Sequence, residues 1–144
     1  MTVAAILKHK GYQVTSVAPT ATVAEVAETL QAQKIGAVLV MDRADQLLGI
    51  VSERDIVRCL AANGARTLEM TAGQLMTRAL QIASPGTTVA EAMQMMTAGR
   101  FRHLPVMENG ALVGLISIGD VVKARIMQQE SEVDSLKAYV AGSA

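Results

Sequence analysis

Two short stretches of this chain set a hydroxyl and a carboxylate at the same spacing. GIVSERDIV runs from Gly49 to Val57, and GLISIGDVV from Gly114 to Val122. Each reads glycine, two apolar residues suited to a strand, Ser, two variable positions, Asp and two β-branched residues. A Ser-x-x-Asp corner can do two kinds of work. It can close a helix start, with the Ser side chain on the N3 amide and the N3 carboxylate on the Ser amide. It can also present a fixed carboxylate beside the free N–H groups of a first helical turn, offering an acceptor and donors to a ligand.

The elements that position these corners repeat. PTATVAE (Pro19 to Glu25) matches PGTTVAE (Pro85 to Glu91) at five of seven positions, 66 residues apart, and the corners lie 65 apart. The lost residue falls in a turn: VMDRADQLLG becomes VMENGALVG, where Asn109-Gly110 suits a tight type I′ hairpin. Each copy predicts a short extended piece (14–17; 80–83) and then a helix opened by Thr-Val-Ala-Glu with capping-box spacing, Thr22 to Glu25 and Thr88 to Glu91. Val23, Val26, Ala27 and Leu30 form one buried stripe, as do Val89, Ala92, Met93 and Met96. A hairpin follows (37–41 with 47–51; 104–107 with 112–117), then a second helix from the Ser-x-x-Asp corner. The leading segments also correspond, Val3 to Leu7 with Ala72 to Met76, each after a Thr that could cap a helix.

These readings divide the chain into 1–66, a first repeat with its leading helix; 67–127, the second repeat; and 128–144, a helical tail. Asn63-Gly64 is the expected helix stop in the linker. The tail alternates charged Glu130, Glu132, Asp134 and Lys137 with apolar Ile126, Val133, Leu136 and Val140, which marks it for contact with a partner or a second copy.

Composition narrows the function. Hydrophobic residues make up 51% of 144, but aromatics only 2%, so the core is aliphatic and nine Met help to fill it. Few aromatics and a net charge of zero argue against nucleic acid as a partner. Cys59, the single cysteine, is expected to be a buried, inert thiol. No Cys/His cluster has zinc spacing, so no metal is expected. His9 is read as a surface residue. The N-terminus lacks a signal-peptide layout, and the apolar runs fall far short of the ~20 residues of a membrane helix. A cytoplasmic protein with no membrane contact is expected.

The tandem copies, the two G-h-h-S-x-x-D-h corners and FRHLPV (Phe101 to Val106) resemble a pair of CBS domains, over roughly residues 2–130. That family takes its name from cystathionine β-synthase, where the module is regulatory. The likeness is greatest to small stand-alone bacterial proteins. It implies an α+β fold: two β-α-β-β-α repeats packed sheet to sheet about a pseudo-twofold axis, with an N-terminal helix and an extended C-terminal helix. It also implies a non-catalytic energy or redox sensor that binds AMP, ADP, ATP or NAD(H) between the copies, forms a homodimer and signals to an effector protein, with no catalytic cofactor. The alternative is a structural or dimerisation module with vestigial pockets. An enzyme is not expected, because the chain shows neither a nucleophile–base pair nor a GxxxxGK[ST] loop.

Residue by residue, the resemblance assigns the ribose diol to Asp55 and Asp120, where a carboxylate accepts from each hydroxyl. Ser52 and Ser117 offer hydroxyls to phosphate. Gly36 and Ala37 in the first copy, and Arg102, His103 and Leu104 in the second, border the adenine slot, with loops 17–18 and 83–84 closing its other side. Arg102 and His103 would face phosphates, and Arg54 could be a further phosphate ligand. Ile118 stands opposite Glu53 in the motif and Gly119 opposite Arg54, so the two sites differ in chemistry.

Overall fold

The computed structural model describes residues 1–78 and 80–143, with only the backbone of Ser143; Ala79 and Ala144 lie outside the described residues. The chain is α+β and folds as two compact units, Gln13–Leu80 and Met1–Tyr12 with Gln81–Ala144.

In the first unit, β1 (Ser16–Val17) pairs in parallel with β2 (Ala37–Met41), and β2 pairs antiparallel with β3 (Leu47–Ser52), in the order β1-β2-β3. Of the expected extended piece 14–17, only its last two residues join the sheet. Between β1 and β2 runs α2 (Val23–Gln33), started by Thr22, whose side chain accepts from the Glu25 N–H. Val23, Val26 and Leu30 are buried against Val38, Val40 and Val51; Ala27, the fourth residue of the expected stripe, is half-buried. After β3, α3 (Glu53–Asn63) ends at Gly64, whose φ of 63° is the left-handed stop expected there. A 3₁₀ helix (Gly64–Glu69) and α4 (Ala72–Leu75) then return to the same unit, burying Ala72 in its core.

The second unit repeats the plan. Its lead strand is reduced to a bridge, Ala83 beside Val106. Then come α5 (Val89–Gly99), with a complete Thr88–Glu91 capping box, and the hairpin β4 (His103–Glu108) and β5 (Ala111–Ser117). Asn109 and Gly110 both have positive φ (52° and 78°), the backbone a type I′ turn needs. The last helix, α6, runs without a break from Ile118 to Ser143. The corner helix and the expected tail are therefore one element.

The units do not follow the repeat boundaries. α1 (Val3–Lys10) precedes the first repeat but packs into the second: Val3, Ile6 and Leu7 are buried with Leu104, Val106 and Ile116. Burial of each such side chain contributes about 1.5–3 kcal/mol. α4, the leading segment of the second repeat, packs into the first. The two crossings use matching bonds. Val3 N–H donates to Thr87 O (2.8 Å) and Val89 N–H to Met1 O (3.1 Å), while Ala72 N–H donates to Ala21 O (2.8 Å) and Val23 N–H to Met70 O (2.8 Å). Thr71 caps its helix through its side chain, but Thr2 does not.

This exchange explains the glycine that opens each corner motif. A Cβ on Gly114 would stand 2.6 Å from a Leu7 methyl, and one on Gly49 would stand 2.7 Å from the Thr77 carbonyl and 2.8 Å from the Met76 sulfur. Each glycine lets the exchanged leading segment cross its strand at close range.

Candidate functional site

Both corners are helix caps. At the first, Ser52 Oγ accepts from the Asp55 N–H (3.3 Å), and Asp55 Oδ2 accepts from the Ser52 N–H (2.8 Å) and hydroxyl (3.0 Å). The Glu53 N–H donates to Gly36 O at 2.9 Å. At the second, Ser117 Oγ accepts from the Asp120 N–H (3.2 Å), Asp120 Oδ2 accepts from the Ser117 N–H (2.8 Å), and the Ile118 N–H donates to Arg102 O (2.7 Å). Register brings the start of the preceding strand alongside: Ala37 lies opposite Ser52, and His103 opposite Ser117. The structure thus gathers Gly36 and Ala37 at the first corner, and Arg102 and His103 at the second.

Each cap uses Oδ2, and the cap bonds leave Oδ1 unused. The bonds just given also leave the Arg54 and Gly119 N–H groups open in their first turns. Each corner therefore combines a carboxylate oxygen that can accept, an amide that can donate, and an exposed Arg nearby, Arg54 or Arg102. That set matches a ligand with both hydroxyl and anionic groups. Ala37 and Leu104 are buried as whole residues (3% and 0% exposed).

The corners differ in one partner that the motif does not contain. Lys10, in the last turn of α1, donates to Asp120 Oδ2 at 2.7 Å and to Leu115 O at 2.9 Å. Burial pushes the Asp120 carboxyl up; the Lys10 hydrogen bond, the Ser117 N–H and the Lys10 charge outweigh this and hold it below its ordinary value of 3.8. Among the described residues, the ion pair of Asp55 is with the Arg58 guanidinium, 3.9 Å from Oδ1 and 79% exposed.

The cavities differ accordingly. A cavity of about 470 Å³ beside the first corner is lined by Leu30, Lys34, Ile35, Gly36, Glu53 and Ile56, among others. One of about 360 Å³ beside the second takes in Asp120 with His9, Lys10 and Lys123 over an apolar floor of Ala5, Ile6 and Ala124. His9 is exposed, as expected, but it lies in this cavity wall. Lys10 and Lys123 were not singled out by sequence reasoning; Lys10 lies 110 residues from Asp120. Cys59 is half-buried rather than buried; it accepts from Asn63 (3.2 Å) and lies 3.6 Å from the Met70 sulfur. Among the described residues, no group of three or more His, Cys, Asp or Glu could hold a metal, and no helix is long and apolar enough to cross a membrane.

Comparison with known proteins places this geometry in a family. The solved structure of a CBS-domain containing protein from Agrobacterium tumefaciens is 46% identical, with a TM-score of 0.85, over 87% of this chain and 99% of that one. A CBS domain protein from Pyrobaculum aerophilum, solved in complex with AMP, is 28% identical with a TM-score of 0.73, over 83% of this chain and 89% of that one. The mitochondrial CBS domain-containing protein CBSX3 of Arabidopsis thaliana is 34% identical over 125 residues, 84% of this chain. The chain spans 61% of the length of that relative. The CBS domain model matches residues 4–62 and again 72–126, and the chain belongs to the CBS-domain family.

Proposed function

We propose that the chain is a non-catalytic regulatory module that binds an adenine nucleotide at its Ser-x-x-Asp corners and signals its occupancy to another protein. In this reading Oδ1 of Asp55 and of Asp120 accepts from a ribose diol. The open first-turn N–H groups, Ser52, Ser117, Arg54, Arg102 and His103 serve phosphates. Backbone at Gly36, Ala37 and Leu104 borders the base. The ligand is AMP, ADP, ATP or NAD(H), and a homodimer in the cytoplasm is the working form.

The observation that carries the reading is a carboxylate oxygen left out of the cap at both corners, Oδ1 of Asp55 and of Asp120. The AMP bound by the Pyrobaculum relative supports the ligand class. Signalling needs the ligand to favour one of two states of the module.

A second reading, a scaffold with vestigial pockets, is favoured by the completeness of the caps, which already satisfy most of each first turn. Calorimetric titration of nucleotide-free protein with AMP, ATP and NADH separates the two. Heat of binding and a thermal shift with at least one of them are expected. Neither heat nor shift with any would leave the corners as caps and favour the scaffold. Steady release of phosphate from ATP would instead point to an enzyme.

A further inference from the structure

The second half of α6 is exposed but not polar. Val121 and Ala124 are buried in their own unit, whereas every residue from 129 to 142 is exposed. Among these, Val133 is 50% exposed, Leu136 62% and Val140 61%. An isolated helical segment of about 14 residues is marginal in water. Such a segment needs a partner for its apolar side.

The pattern on that side identifies the partner. Positions 122, 126, 129, 133, 136 and 140 follow one another in steps of four and three, a heptad seam. Ile126, Val133 and Val140 take the a positions, and Val122, Gln129 and Leu136 take d. β-branched residues at a with Leu at d favour two parallel strands. The flanks agree. Arg125 and Glu132 fall at g, Glu130 and Lys137 at e. In a parallel, in-register pair each g residue faces the e residue five positions later in the other copy. Arg125 then meets Glu130, and Glu132 meets Lys137, so every such contact joins unlike charges. An antiparallel pair over the same residues would set Gln129 against Val133; the parallel one sets valine on valine and lets the two Gln129 amides bond each other. Among the described residues, a groove of about 410 Å³ along Ile126, Gln129 and Val133 lies open on this face.

We propose that α6 pairs with α6 of a second copy of this chain as a short parallel coiled coil over residues 122–140. The pairing does not depend on nucleotide binding.

Disulfide trapping tests it in a Cys59→Ala background. Val140→Cys sits on the seam and Ser131→Cys on the outer face. Under mild oxidation of dilute protein, Val140→Cys is expected to form a covalent dimer and Ser131→Cys to stay monomeric. Adding Arg125→Glu to Val140→Cys should slow trapping roughly threefold or more, since like charges replace unlike ones. Adding Glu130→Arg as well should restore it. Equal trapping at 131 and 140, trapping at neither, or a charge reversal that the second change does not rescue overturns the proposal. So does preferential trapping of Gln129→Cys by Val133→Cys, which marks an antiparallel pair.

Discussion

The two corners carry one motif and the same cap, yet among the described residues a lysine binds the cap carboxylate only at the second. At the first, Asp55 Oδ2 binds its own Ser52, and Oδ1 lies 3.9 Å from the exposed Arg58 guanidinium. At the second, Lys10 neutralises Asp120 and pins the end of α1 to β5. The difference arises outside the repeat, from the exchange of leading segments. α1 brings a lysine eight residues after Thr2; eight residues after Thr71 the sequence has Ala79. A duplicated motif thus acquires two electrostatic environments because a different segment crosses each copy. Basic residues stand near both corners: Lys34, Arg54 and Arg58 at the first, and Lys10, Lys123 and Arg102 at the second.

The largest expected effect separates the crossings themselves. Gly49→Ala would drive a methyl into a backbone carbonyl, whereas Gly114→Ala meets the movable end of Leu7. Gly49→Ala should cost about 1–3 kcal/mol, the overpacking range, and Gly114→Ala less, by chemical denaturation. Equal losses would mean that the two crossings are equally rigid.

Lys10→Met tests the ion pair. Both partners are partly exposed, with side chains at 37% and 24%, so the pair is worth about 0.5–1 kcal/mol. The carboxyl of Asp120 is held below its ordinary value in the folded protein. Its contribution is therefore complete above pH 3.8 and is lost as pH falls through the lowered value. The stability gap between wild type and Lys10→Met should be full at pH 7 and close in acid below that range. A gap that persists there would assign the role of Lys10 to its bond with the Leu115 carbonyl or to packing of its stem instead.

What the sequence made legible is local. The Thr88–Glu91 capping box, the Asn109-Gly110 turn and the Gly64 stop each rest on neighbours within a few positions and form as read, while the Thr22–Glu25 box forms its Thr22 half and Ala27 of the α2 stripe is half-buried. The corners were legible because duplication placed the same chemistry twice. The exchange of leading segments was not. The likeness of 3–7 to 72–76 says that the two segments do the same job but not in which unit. The close contacts at Gly49 and Gly114 hold that information, and they join residues distant in sequence. Lys10 carries no local signal, since its meaning depends on α1 lying beside β5.

The most direct test of the account is calorimetric titration of AMP into Asp55→Ala and Asp120→Ala beside the nucleotide-free wild type. Asp55→Ala should weaken binding about tenfold or more, in keeping with loss of a charge-assisted hydrogen bond. Asp120→Ala should weaken it less, because Lys10 already holds that carboxylate. Undiminished affinity in both variants would contradict the assignment of the corners to the nucleotide, and a larger loss at Asp120 would invert the ranking of the two sites.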